Sequence, residues 1–535
     1  MLSLLIWLPV VGAVLIGVWP QNLSQQWIKR IALIVSSVLI AQTLWVISQF
    51  DLTQSGFQMR EILNWIEPLG LSYHLGVDGL SLPLVVLNSL LTWIAIYSSP
   101  AHTIRPRLYY VLVLLVNAGV TGAFLAQNLL LFFLFYEVEL IPLYLLIAVW
   151  GGAKRSYAAT KFLIYTAVSG ILILAGFLGL TWLGHATSFD YEAVQGVINT
   201  IPLVFQTLLL GILIFGFGIK TPLVPLHTWL PDAYVEASPP IAILLGGVLA
   251  KLGTYGLFRF GLGLLPEAWA SIAPLLAIWA VVIVMYGSLA AIAQHDIKRM
   301  VAYSSIGHMG YVLLGGAALT ELSIVGAVSQ MVAHGFILAL LFYLVGIIED
   351  KIGTRELSAL NGLMSPVRGL PLVSALLVLG GMASAGIPGL VGFIAEFLVF
   401  QGSYSVFSWQ TLLCVVGTGF TAVYFVILLN RTCFGRLDNA LAYYPKVLWS
   451  ERFPALLLAA VILFLGVQPH WLVHWSEPTT AAMAQVAAAY ENTPRLAGIG
   501  ELARSLTALA SPDSSAEHNP TIEIAATGTK PAYAG

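Results

Sequence analysis

Two lysines stand inside apolar sequence. Residues 211–251 read GILIFGFGIKTPLVPLHTWLPDAYVEASPPIAILLGGVLAK. Lys220 closes one apolar run just ahead of Pro222 and Pro225, and Lys251 lies within the next. A lysine placed in a membrane span costs a few kcal/mol even on mild insertion scales. Burial disfavours the charged form of an ionisable group, so such a side chain is a candidate for taking up and releasing a proton. Snorkelling would hide the cost, but apolar residues extend on both sides of Lys251. Arg259, nearer the end of its run, is expected to be an interfacial anchor.

Acids and histidines accompany the lysines. Glu137 and Glu139 lie in LLLFFLFYEVELIPLYLLIAVW. Two positions on a helix differ by about 200°, so the pair cannot share one face. Lys220 is the expected counter-charge of Glu137. Their pairing would keep both ionised, and breaking it would push each towards neutrality, which makes a switchable proton site. A static ion pair locking two helices is the plainer alternative. His334 sits in SQMVAHGFILALLFYLVG and His308 in AYSSIGHMGYVLL. Histidine titrates closest to neutrality, so with Tyr303, Ser304 and Ser305 these residues could carry a proton wire rather than only fill a hydrogen-bonded core. His227, at the turn after the broken run, reads as structural. Glu396 follows a second interruption, GGMASAGIPGLVGFIAEFLVF, broken at Gly386, Pro388 and Gly389. A carboxylate there suits the end of a relay. A packing pair with a base such as Lys161 is the alternative.

These residues must be held by membrane helices. Of the 535 residues, 59% are hydrophobic and 9% charged, against roughly 25% charged in a soluble domain. The fold class is therefore an all-α polytopic membrane protein. Apolar stretches near 2–19, 31–50, 80–98, 108–125, 128–150, 157–183, 203–226, 240–262, 270–292, 300–317, 322–347, 369–400, 408–431 and 454–468 give about fourteen helices. Residues 51–79 read as an amphipathic segment at a membrane surface. The tail after 475 reads as polar and extramembrane, ending in a disordered SPDSSAEHNPTIEIAATGTKPAYAG.

Loop charges alternate. Lys29 and Arg30, Arg105 and Arg107, Lys154 and Arg155, Lys298 and Arg299, then Lys351, Arg355 and Arg368, and finally Arg436, Lys446 and Arg452 follow odd-numbered helices. The positive-inside rule then puts both termini on the outer side. The loop after the seventh helix breaks the pattern, carrying Asp232 and Glu236 without a base. The two broken helices, seventh and twelfth, are five apart. An odd offset reverses topology, so helices 4–8 and 9–13 are expected to be inverted repeats with the site at the breaks. The expected division is 1–79 (N-terminal helices and surface segment), 80–262 and 263–431 (two halves), 432–475 (C-terminal helix) and 476–535 (tail).

No Walker motif is present, and no cofactor-binding or metal-ligating set is read. Cys414 and Cys433 are too few for an iron–sulfur cluster and form no zinc motif. GIGELA at 498–503 follows no strand, so it is not read as a dinucleotide site. A proton path without its own energy source needs an ion gradient or a redox partner.

The segments GIKTPLVPLHTWLPDAYVEASPP, AYSSIGHMG, MVAHGFILALLFYLVG and FYEVELIPLYLLIAVWGG resemble the antiporter-like membrane subunits of complex I, over about residues 75–470. Glu396 in place of a lysine resembles the chain 4 (D-type) form, and E-V-E-L-I-P the cyanobacterial and chloroplast type of NAD(P)H-quinone oxidoreductase. The resemblance implies that Glu137 and Lys220 are a coupling ion pair, Lys251 a central relay lysine, His308 and His334 histidines of the path, and Glu396 its terminal residue. It implies a multi-pass protein of the thylakoid membrane with lumenal termini. Its partners would be the bilayer and other membrane and hydrophilic subunits, not nucleic acid. FMN, iron–sulfur clusters, NAD(P)H or ferredoxin, and plastoquinone would belong to the complex and not to this chain. Glu139 and the long tail fall outside the pattern. A subunit of a multisubunit cation/proton antiporter, a structural spacer of the membrane arm and a carbon dioxide-uptake variant remain the alternatives.

Overall fold

A computed structural model of the chain describes residues 1–18, 24–100, 103–366, 369–437 and 445–490. Arg368 and the segment 491–535, with its expected disorder and the GIGELA sequence, lie outside the described residues. In lipid every backbone N–H and C=O must be satisfied within the protein, and the long apolar runs answer this as helices. These are α1 (Leu2–Val18), α2 (Gln25–Gln49), α3 (Leu82–Ser98), α4 (Pro106–Leu125), α5 (Leu129–Val138), α6 (Leu140–Trp150), α7 (Arg155–Leu183), the short α8 (Tyr191–Val197) and α9 (Leu203–Lys220). After them come α10 (Trp229–Glu236), α11 (Pro239–Leu262, part of it π-helical), α12 (Pro266–Ile292), α13 (Ile297–Ala318) and α14 (Glu321–Ile352). Last are α15 (Pro371–Ser384), α16 (Val391–Tyr404), α17 (Ser408–Thr432), α18 (Trp449–Val467) and α19 (Glu477–Ala488).

Among the described residues ten helical segments are long and apolar enough to cross a membrane. With the shorter α1 and α3, the split pair α15–α16 and the polar α13, they account for each of the expected spans. Two of them, α11 and α14, are buried along their whole apolar length and form the axis of the bundle. The lipid-type surface is elsewhere, on exposed Ile164, Val168 and Ile171 of α7 and Val415, Val416 and Val426 of α17.

Three spans are broken. After α9 the chain turns through Thr221–Thr228 before α10. Between α15 and α16 it turns at Gly386 and Gly389, with φ of +70° and +89°, a region glycine enters without steric cost. The third break was not expected. The 128–150 run divides at Glu139, because Pro142 has no N–H for the Val138 carbonyl and its ring crowds that carbonyl.

Two regions take on structure that the sequence reading left unassigned. The amphipathic surface segment 51–79 contains an antiparallel hairpin, β1 (Gln58–Ile66) with β2 (Leu71–Val77). The expected tail from 476 begins with an ordered helix, α19, packed on α14. Thr479 there accepts from Gly79 N at 3.0 Å and donates to Ser55 O at 3.1 Å.

The loops sort to two ends. Gly152 N donates to Glu236 O at 2.8 Å, Arg299 reaches Asp232 at 3.1 Å, Arg355 reaches Asp296 at 2.6 Å and Lys351 reaches Glu451 at 2.6 Å. These contacts gather the loops after helices five, seven, nine, eleven and thirteen at one end. Asp232 and Glu236 thus break the charge pattern only in sequence: Lys161 at 2.8 Å, Arg299 and the Lys154 amide at 2.8 Å supply their partners. The hairpin, Asn128, Asp190, Gly263 and the Thr320–Gly402 contact gather at the other end.

Candidate functional site

Lys220 pairs with Glu139, not Glu137. The Lys220 ammonium hydrogen-bonds Glu139 Oε1, and the two side chains are 1% and 0% exposed. The break at Val138–Glu139 turns Glu139 into the bundle, where Gly119 of α4 lets the backbones close in: a Cβ on Gly119 would lie 3.2 Å from Glu139 N. Lys220 also stands 3.5 Å from the ring centroid of Tyr136, a cation–π contact. The Tyr136 hydroxyl is held by Ser169 at 2.7 Å, which donates to Gly216 O at 2.8 Å. Glu137, two residues back, is half-buried. Its carboxylate fits a notch at Gly170 of α7, where a Cβ would lie 1.9 Å from Oε1. It stays within electrostatic range of both Lys220 and Glu139.

Lys251 is fully buried. Its Nζ donates to Gly246 O, five residues back on its own helix, at 2.6 Å, and meets His334 Nδ1 of α14 at 2.9 Å. Gly246 lies in Leu245–Leu249, which is π-helical, the wider turn that often marks a functional site.

From His334 the line continues across α13 and α16. The rings of His334 and His308 are 5.3 Å apart, centroid to centroid. His308 Nε2 meets Ser384 Oγ at 2.9 Å, at the last residue before the second break. Its Nδ1 faces Glu396 Oε1 at 3.4 Å and Gln330 Nε2 at 3.3 Å. A donor and an acceptor thus converge on one ring nitrogen, so its proton decides which contact is made. Glu396 also accepts from Thr418 Oγ1 at 3.2 Å, and Thr418 meets Tyr311 Oη at 3.0 Å. His334, His308 and Glu396 are all buried. Lys161 is not a partner of Glu396; it is at the basic end with Asp232.

The first break approaches the helix that carries Lys251. Thr221, next to Lys220, has a buried hydroxyl with no hydrogen-bond partner among the described residues. It lies against Gly253 of α11, where a Cβ would be 2.5 Å from Thr221 Oγ1. At the basic end of the break a cavity of about 410 Å3 is lined by Glu236, Ser238, Lys298, Glu349, Arg355 and Glu451, among others. Lys298 is buried there and donates to Ala237 O at 2.8 Å.

Comparison with known proteins shows the family. A family profile described as NADH:quinone oxidoreductase/Mrp antiporter, TM, matches residues 126–421. NAD(P)H-quinone oxidoreductase chain 4 1 of Synechococcus sp. (strain JA-2-3B'a(2-13)) is 41% identical over 90% of this chain and 92% of the relative. Chain 4-2 of Synechocystis sp. (strain ATCC 27184 / PCC 6803 / Kazusa) is 40% identical over 81% of this chain and 78% of its own length. The chain belongs to the antiporter-like membrane subunits of NAD(P)H-quinone oxidoreductase, the chain 4 family. Respiratory complex I from Thermus thermophilus has a similar chain, with TM-score 0.82 and 27% identity, covering 91% of this chain and 100% of that one. The Mrp complex from Dietzia sp. DQ12-45-1b shares the fold, with TM-score 0.81 and 21% identity over 92% and 99% of the two chains.

In this chain 4 family member the structure brings Lys251, His334, His308 and Glu396 into one line and leaves Glu137 beside the Lys220 pair rather than in it. Sequence reasoning missed Gln330, Ser384 and Thr418, which are ordinary polar residues until α13, α14, α15 and α17 converge. It also misjudged Arg259. That guanidinium is no interfacial anchor: it is buried, bonds both Asp78 oxygens at 2.7 and 2.6 Å and sits over Phe57, Tyr191 and Tyr255. A buried arginine needs such a partner, and the acid was hidden in the segment before α3. Cys414 and Cys433 are buried and unlinked.

Proposed function

We propose that this chain is the proton-translocating membrane subunit of an NAD(P)H- or ferredoxin-driven plastoquinone oxidoreductase, and that it moves protons without a redox step of its own. The observation that carries the reading is the buried line Lys251–His334–His308–Glu396 between two broken helices. A proton on Lys251 passes to Nδ1 of neutral His334 and leaves from the Nε2 nitrogen, which has no hydrogen-bond partner among the described residues. His308 takes it next and releases it from Nδ1 to Glu396. Lys220 is the coupling point: withdrawn from its carboxylate, it lies nearer Lys251 through Thr221 and drives the proton onward by like-charge repulsion.

The cavity at Glu236, Ser238 and Lys298 is the entry vestibule. In this reading the basic end faces the cytoplasm, both termini face the thylakoid lumen, and residues 80–262 and 263–431 are inverted halves. FMN, iron–sulfur clusters and the plastoquinone site reside on other subunits. Lys251→Ala in the assembled complex tests the reading. Quinone reduction should continue while protons moved per electron fall. An unchanged ratio would identify the chain as a spacer. Co-purification with small antiporter chains, instead of flavin and iron–sulfur subunits, would identify it as part of an antiporter.

A further inference from the structure

Glu137 is the acid that this mechanism leaves without a role. Lys220 has two carboxylates in range, one bonded and sealed, the other half-buried in the Gly170 notch. The second oxygen of Glu139, Oε2, is buried and has no hydrogen-bond partner among the described residues. Two buried carboxylates beside one ammonium carry an excess negative charge unless one of them holds a proton. Withdrawing Lys220 from a single buried acid would leave that acid uncompensated, and breaking a buried pair in this way is strongly destabilising, by about 3–5 kcal/mol.

We propose that the coupling site is a two-carboxylate exchange, in which Lys220 passes between Glu139 and Glu137 while one proton passes the opposite way. In the state seen here Lys220 pairs with Glu139 and the proton sits on Glu137. When Lys220 moves to Glu137, the Glu137 O–H bond breaks. The proton adds to an oxygen of Glu139, whose Oε2 is the site lacking a donor. One carboxylate, one carboxylic acid and one ammonium are present before and after, so no charge is left unpaired. The kink at Pro142 makes this possible, because residues two apart on an unbroken helix point about 200° apart. The Tyr136 ring under Lys220 offers a cation–π surface between the two partners. The inference rests on the proton-translocating reading above and adds a partner to its coupling ion pair.

The test uses the whole complex with Glu137→Gln, Glu139→Gln and the double variant. Assembly is checked by co-purification. Each single variant should keep part of the proton-to-electron ratio, reduced about two-fold, and the double variant should lose pumping at least ten-fold while still reducing quinone. A silent Glu139→Gln with an inactive Glu137→Gln, or the reverse, would overturn the exchange, since one acid would then suffice. Infrared spectroscopy gives a readout independent of pumping and of Glu139→Gln assembling. The wild-type complex should show a protonated-carboxyl band that Glu137→Gln removes; a spectrum unchanged by Glu137→Gln overturns the proposal. Lys251→Ala run in parallel separates the two failures. If it pumps normally, the functional reading falls; if it does not, and the carboxyl results contradict the exchange, only the exchange falls.

Discussion

Lys251 and His334 meet nitrogen to nitrogen at 2.9 Å in a fully buried site, and neither hydrogen-bonds a carboxylate among the described residues. One shared proton therefore serves two bases, and the contact survives only if they are not both charged. Lys251→Arg follows directly. A guanidinium keeps its proton under any physiological condition, so it would hold charge at the site without passing it on. Pumping should fall about 100-fold, the order seen when a proton-transfer group is lost, with quinone reduction retained. Lys251→Met, close in volume and neutral, should give the same loss with normal assembly. Proton uptake by vesicles containing the reconstituted complex checks both.

His308 faces both His334 and Glu396. His308→Ala should interrupt the line and lower pumping at least ten-fold, leaving the Lys220–Glu139 pair intact. Gln330→Leu is the more discriminating change. Gln330 does not lie on the line, but its amide meets His308 Nδ1 at 3.3 Å and so competes with Glu396 for that nitrogen. It should leave pumping within about two- to three-fold of wild type, whereas loss of a relay member lowers it at least about ten-fold.

Lys220, Lys251 and the histidines were legible in the sequence because an ionisable group within an apolar run is conspicuous on cost alone. Helix count and the breaks at Pro222 and Gly386 were legible for a similar reason, since lipid leaves the backbone few other solutions. The choice between Glu137 and Glu139 was not. It turns on a kink of one residue set by Pro142, and periodicity assumes an unbroken helix. Asp78 was equally hidden, because its importance comes from Arg259, which is 181 positions away in sequence. The hairpin was not legible because a short amphipathic segment between membrane helices carries weak evidence for either secondary structure.

The Asp78–Arg259 pair predicts strong non-additivity. Removing Asp78 alone strands a buried guanidinium, so Asp78→Ala should destabilise the subunit by about 3–5 kcal/mol. Replacing both residues with apolar ones of similar size should cost much less, because no charge is then left unpaired. Thermal stability of the purified complex in the single and double variants reads the difference. Pumping by the assembled double variant should stay near wild type, since the pair lies off the line.

Asp190 predicts an acid-sensitive joint between the hairpin and the first half. Burial opposes ionisation of its carboxyl, but hydrogen bonds from His74, Ser72, Asn128 and Ser188 outweigh it and hold the pKa well below the ordinary 3.8. A carboxylate with a depressed folded pKa stabilises the fold above its unfolded value and loses that contribution as pH falls through the folded one. Asp190→Asn should thus lower stability by about 2 kcal/mol at neutral pH, the scale of a hydrogen bond to a charged group. The gap between variant and wild type should be complete above pH 3.8 and close in stronger acid. Hydrogen exchange of β1 and β2 amides at pH 7 and at the lowest pH the complex tolerates measures it. A gap that widened in acid would mean that Asp190 is protonated in the folded protein and that the joint is held by other contacts.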